Sequence, residues 1–139
     1  MKRFLMAGIG GFAVNQVVAT LLAILILNPW LNEAFGDTIR SAEEGLAFPS
    51  LLGGYLVLSL LMAWMFPKMN LQGSWKAKGL VFGAWIGGMV FVAGHLVVAG
   101  WSVLPGVPML FSGLVDSLAA IAAGYWIAYM YRHGVGASR

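Results

Sequence analysis

The sequence predicts an all-α, polytopic membrane protein: four transmembrane helices in one small bundle, with both termini cytoplasmic. Three observations carry this expectation. The chain of 139 residues is 60% hydrophobic and only 9% charged, with mean hydropathy +0.86, whereas a water-soluble domain carries roughly 25% charged residues. Four long apolar runs, at 4–27, 48–66, 79–104 and 107–131, each approach or exceed the roughly 20 residues a helix needs to cross about 30 Å of hydrocarbon. Finally, the basic residues fall on one side of those runs.

The composition also excludes function classes. Soluble enzymes and nucleic-acid binders do not have this apolar load, and a net charge of +3 is too small for a nucleic-acid footprint. Cysteine is absent, which removes disulfides, thiolate metal sites and dithiol redox chemistry together. The length fits a single domain over 1–139.

Span 1 follows Met1-Lys2-Arg3, a positive start reminiscent of a secretory signal. Its apolar stretch is too long for a signal core of about 7–15 residues, so it reads as a retained helix. Asn28-Pro29 is expected to end it, because proline disfavours helix at the residue before it. The outer loop, 28–47, carries Leu31, Phe35 and Ile39 four apart, the pattern of a short surface helix. Ser41 and Glu44 match a capping box there. Glu33, Asp37, Glu43 and Glu44 make the loop acidic, but their spacing is not that of a calcium loop, so a solvated acidic segment is expected and no metal.

Span 2 is uncharged and is followed by a short basic inner loop, 67–78, whose Lys68, Lys76 and Lys78 are placed to meet anionic headgroups. Spans 3 and 4 flank a tight turn at Pro105-Gly106. With Lys2, Arg3, Lys68, Lys76, Lys78, Arg132 and Arg139, seven of the eight basic residues share one side; Arg40 is the exception. The positive-inside bias puts that side in the cytoplasm of a bacterial inner membrane. Aromatic belts agree: Trp30, Trp101 and Phe111 on the outer side, Trp64, Trp75, Trp126, Tyr129 and Tyr131 on the inner.

Helices in lipid associate through small residues and interhelical hydrogen bonds. Span 3 has Gly79, Gly83 and Gly87 as consecutive G-x-x-x-G steps, and a second stripe of Ala84, Gly88, His95 and Ala99 about a quarter-turn round. It is therefore expected to touch two neighbours, either at the bundle centre or in a dimer. Gly8, Gly11 and Asn15 share a face of span 1; Ser112, Gly113, Asp116, Ala119 and Ala120 share one of span 4, with Leu114, Leu118, Ile121 and Tyr125 facing lipid.

Two ionisable residues lie deep in the spans, and such residues are functional candidates by default. His95 is about 24 Å and Asp116 about 22 Å from the inner end along their helices. They are also symmetric about the Pro105-Gly106 turn, so an antiparallel hairpin puts them at one level. Thr20, with Gln16 and Tyr55 about a turn deeper, would complete a polar layer; Asn15 is adjacent to Gln16 and about 100° round the helix from it, so one of the two is expected to bond a neighbouring helix and the other to reach the layer. The pair reads either as structural glue, worth about 0.6 kcal/mol on average, or as a proton-linked switch. A haem held by His95 with Met89 or Met109 is the weaker alternative, since no second membrane histidine is present; no cofactor is expected.

No dinucleotide, phosphate-loop or hydrolase motif is present. The expected function is an accessory or interaction subunit of a membrane complex. The alternative is a small dimeric proton-linked transporter or channel using Asp116 and His95, with an intramembrane enzyme third. Expected partners are the lipid bilayer and either a second copy of the chain or a larger complex.

Overall fold

The structure, a computed structural model, describes residues 1–36, 45 and 47–132. All its elements are helical: α1 (Lys2–Leu22), α2 (Asn28–Phe35), α3 (Phe48–Met65), α4 (Trp75–Ile86), α5 (Ala93–Trp101) and α6 (Gly106–Tyr131). They form four paths long and apolar enough to cross a membrane, Lys2–Leu31, Phe48–Lys68, Trp75–Trp101 and Gly106–Tyr131.

Two of these paths contain π turns, Ala23–Leu27 between α1 and α2 and Gly87–Val92 between α4 and α5. A π turn absorbs about one extra residue, which rotates everything beyond it by about 100°. This explains the first departure from the sequence reading. The helix does not end at Asn28-Pro29; it runs on to Phe35, because the π turn removes the need for a regular backbone hydrogen bond at Pro29, which has no N–H to give. The rotation keeps Leu27, Leu31 and Phe35 on the buried side, in a cluster with Met109 and Val115 of α6. Leu31 and Phe35 are thus core residues and not the face of a surface helix. Gly36, at φ +49°, follows α2 in the left-handed conformation that glycine adopts readily. Ile39, Ser41, Glu44 and the carboxylates of Asp37 and Glu43 lie outside the described residues.

The other ends follow local chemistry. Pro49 sits in the first turn of α3, where a missing N–H costs nothing. Phe66-Pro67 closes the same helix in a 3-10 turn. Ser74 caps α4, its Oγ accepting from the Ala77 N–H at 3.3 Å. Between α5 and α6, Ser102 Oγ accepts from Leu104 N–H at 3.2 Å.

The centre of the bundle is α6. It packs on α1, α4, the second π turn and α5, while α3 rests mainly on α1. The share of its apolar stretch that is buried is 39%, against 28% for the path through α4 and α5. Span 4, not span 3, therefore occupies the position the glycine pattern suggested for span 3. Gly79, Gly83 and Gly87 all face α6: a Cβ on Gly83 would lie 2.5 Å from the Ile121 Cα, and one on Gly79 2.9 Å from the Tyr125 Cα. Ile121 and Tyr125 thus border this contact and are only partly exposed, where the sequence reading sends them to lipid. Gly113 and Gly124 of α6 answer with equally close approaches to Phe91 and Gly79. Gly8 and Gly11 bring α1 against Leu60 of α3 and Ile127 of α6. Ala120 is fully buried beneath Gly83.

Candidate site: a histidine–aspartate pair between two helices

His95 is on α5, three residues beyond the second π turn, and Asp116 is on the central helix α6. Their closest atoms, His95 Nε2 and Asp116 Oδ2, are 3.5 Å apart. That is an ion-pair distance and too long for a tight hydrogen bond. The meeting depends on the π turn. In an uninterrupted helix His95 lies on the stripe of Ala84 and Gly88, and both of those are exposed, with nothing within 4 Å of a Cβ at Gly88. Rotation by about 100° across Gly87–Val92 moves His95 onto the side that faces α6.

The other ring nitrogen fixes the tautomer. His95 Nδ1 lies 2.7 Å from the carbonyl oxygen of Phe91, inside the π turn. A carbonyl only accepts, so Nδ1 carries a hydrogen and donates it. In a neutral imidazole Nε2 is then a lone-pair acceptor pointing at a carboxyl oxygen. The contact is attractive only with one further proton, held on Nε2 as an imidazolium or on Oδ2 as a carboxylic acid.

The side chains of His95 and Asp116 remain 24% and 15% exposed at the surface of the bundle. Asp116 also stands at the junction of the two core clusters, between Val115 of one and Ala120 of the other. The Tyr55 ring of α3 is 6.2 Å from Phe91, whose ring is 6.4 Å from that of His95. Tyr55 is within electrostatic range of Asp116.

The remaining polar residues are placed differently. Gln16 donates through Nε2 to Thr20 Oγ1 at 3.3 Å along α1, and Thr20 is exposed; these two pair with each other. Asn15 is fully buried and faces α3 and α6, yet neither its Nδ2 nor its Oδ1 meets a hydrogen-bond partner among the described residues. The same holds for Ser59 Oγ on α3 and for Gln16 Oε1. The Phe91 carbonyl was not legible at all; the one hint is the Gly87-Gly88 pair, which loosens the helix just before it.

Comparison with known protein families, with curated proteins and with solved structures yields no match for this chain.

Proposed function

We propose that this chain is a small multi-pass protein of a bacterial inner membrane whose working element is the His95–Asp116 pair, acting as a proton-linked device of the transporter or channel class. The observation that supports this reading is the tautomer. With Nδ1 committed to Phe91, the pair requires one exchangeable proton to be attractive, and it is partly exposed. Losing that proton turns an attraction between α5 and α6 into a repulsion, which biases the packing of the two helices. In this reading the transporting unit is a homodimer, since four spans enclose little volume, and the positive-inside bias of the basic residues supports cytoplasmic termini.

The test is proton flux into liposomes carrying the purified protein and an entrapped pH dye. Wild-type protein should dissipate an imposed pH gradient, and Asp116→Asn, which is nearly isosteric, should not. Flux that survives in Asp116→Asn removes the pair from the mechanism.

A second reading, an accessory subunit of a membrane complex, has its own support. Gly53 and Gly54 on α3, Gly88 in the second π turn and Gly94 and Gly100 on α5 all face open space at the Cβ position. Small residues that pack nothing within the chain suit close contact with another helix. Gly88→Leu should then release a co-purifying polypeptide while leaving the monomer folded.

A further inference from the structure

Where α1, α3 and α6 meet, two fully buried polar side chains lack a hydrogen-bond partner among the described residues. Asn15 of α1 leaves both Nδ2 and Oδ1 unbonded, and Ser59 of α3 leaves Oγ unbonded. We propose that one internal water molecule bridges Asn15 and Ser59 and ties α3 to α1 in the middle of the bundle.

Register brings the two groups together. Gly8 meets Leu60 and Ala63, and the Cβ position of Gly11 lies 3.9 Å from the Ser59 Cβ, so α1 and α3 run antiparallel. Asn15 is the next buried residue of α1 after Gly11, about 6 Å further along the axis. Side chains tilt toward the N-terminus of their own helix. In an antiparallel pair the tilts oppose, so Asn15 leans back toward the level of Ser59 and Ser59 leans toward the level of Asn15. No direct bond closes the remaining gap, and a bridging water is nearly as favourable as one.

Chemistry decides the occupant. Asn15 presents two donors on Nδ2 and an acceptor on Oδ1, and the Ser59 hydroxyl is both donor and acceptor. A cation would suit the two oxygens but face the Nδ2 hydrogens; an anion would suit Nδ2 and repel Oδ1. A small neutral molecule that both donates and accepts satisfies all three atoms. The surroundings admit nothing larger. Asn15 is about 20 Å along α1 from Lys2, and Ala7, Met62 and Ala63 are fully buried on the inner side. With Gly11 against Ile127, the next turn of α6 offers Ala123, Ala120 and Ala119, whose side chains neither donate nor accept. Unsatisfied polar groups are especially costly where no bulk water can reach them, and internal water is the usual remedy in folded proteins. The bridge also complements the packing of α3, which rests mainly on α1. The Tyr131 hydroxyl donates to the Ala63 carbonyl at 3.1 Å and ties its inner end; the water ties its middle.

Water-edited solid-state NMR of the full-length, nitrogen-labelled protein in liposomes tests this. Magnetisation starting on water should reach the Asn15 side-chain amide, whose signal is identified by its loss in Asn15→Leu. In the same mixing time it should not reach the backbone amide of Phe82, an equally buried residue. Ser59→Ala removes one partner of the water and should weaken the transfer to Asn15 up to about fivefold, the effect of one net hydrogen bond. Ser112→Ala, at a buried serine on α6 outside the site, should leave it unchanged. No transfer to Asn15 in the wild-type protein overturns the bridge without reliance on any variant's folding. Transfer that is equal in Ser59→Ala and the wild type removes Ser59 from it. A shift of the Asn15 signal when potassium chloride is exchanged for sodium chloride overturns water as the occupant in favour of a cation.

Discussion

At the scale of single residues, the His95–Asp116 contact combines a modest energy with a strict chemical requirement. Interhelical polar contacts in membranes average about 0.6 kcal/mol with a maximum near 1.7 kcal/mol, so the pair contributes little to stability whichever role it has. A double-mutant cycle with His95→Gln and Asp116→Asn, read by unfolding in detergent, should return a coupling within that range. A coupling indistinguishable from zero means the two side chains do not interact. The buried hydroxyl of Ser59 invites a second measurement. A buried donor without a partner costs about 1–3 kcal/mol, and removing it relieves that cost, whereas removing one bonded to water forfeits a hydrogen bond. Ser59→Ala should therefore lower the stability by about 0.5–1.5 kcal/mol; an unchanged or raised stability means that the hydroxyl is an orphan and that no water bridges it to Asn15. The level of His95 and Asp116 was legible in the sequence because the rise per residue is constant. Their facing was not, because it depends on one inserted residue whose place is set by packing between helices.

Elements behave according to which glycine faces touch a neighbour. Gly83 has the Ile121 Cα where its Cβ would be, 2.5 Å away, and backbone cannot swing aside as a side chain can. Gly83→Ala should cost about 1–3 kcal/mol by forcing α4 and α6 apart. Gly88→Ala, five residues on and with nothing within 4 Å, should be neutral or slightly stabilising through lost backbone entropy in the unfolded chain. Thermal unfolding in one detergent separates the two, and equal effects contradict the described helix phase. The G-x-x-x-G run at Gly79, Gly83 and Gly87 announces a close contact from the sequence alone, since small residues at that spacing have few other uses in lipid. What it does not announce is the partner. Burial ranks α6 as the central helix because it combines glycine with alanine over Ala119, Ala120, Ala123 and Ala128. Pro29 shows the complementary failure: a local rule says stop, and the π turn at Ala23–Leu27 carries the helix past it.

For the molecule as a whole, the four apolar paths were legible because hydropathy over about 20 residues leaves the backbone no alternative to a helix in lipid. Their order in space was not, because lipid-facing and helix-facing residues are equally apolar. Orientation belongs to this scale too, and it rests on charge. With Lys68, Lys76 and Lys78 at one end and the acidic segment around Glu33 at the other, the positive-inside bias predicts that the 67–74 connection faces the cytoplasm and the Ser102–Pro105 turn the outside. The absence of cysteine makes this directly measurable, because any introduced thiol is the only one present. Val103, 86% exposed at the turn, and Gln72, exposed in the basic connection, tolerate the change without loss of packing. In intact cells a membrane-impermeant maleimide should label Val103→Cys and leave Gln72→Cys untouched until the membrane is opened. The reverse pattern inverts the protein, and it would move the His95–Asp116 pair toward the cytoplasmic half.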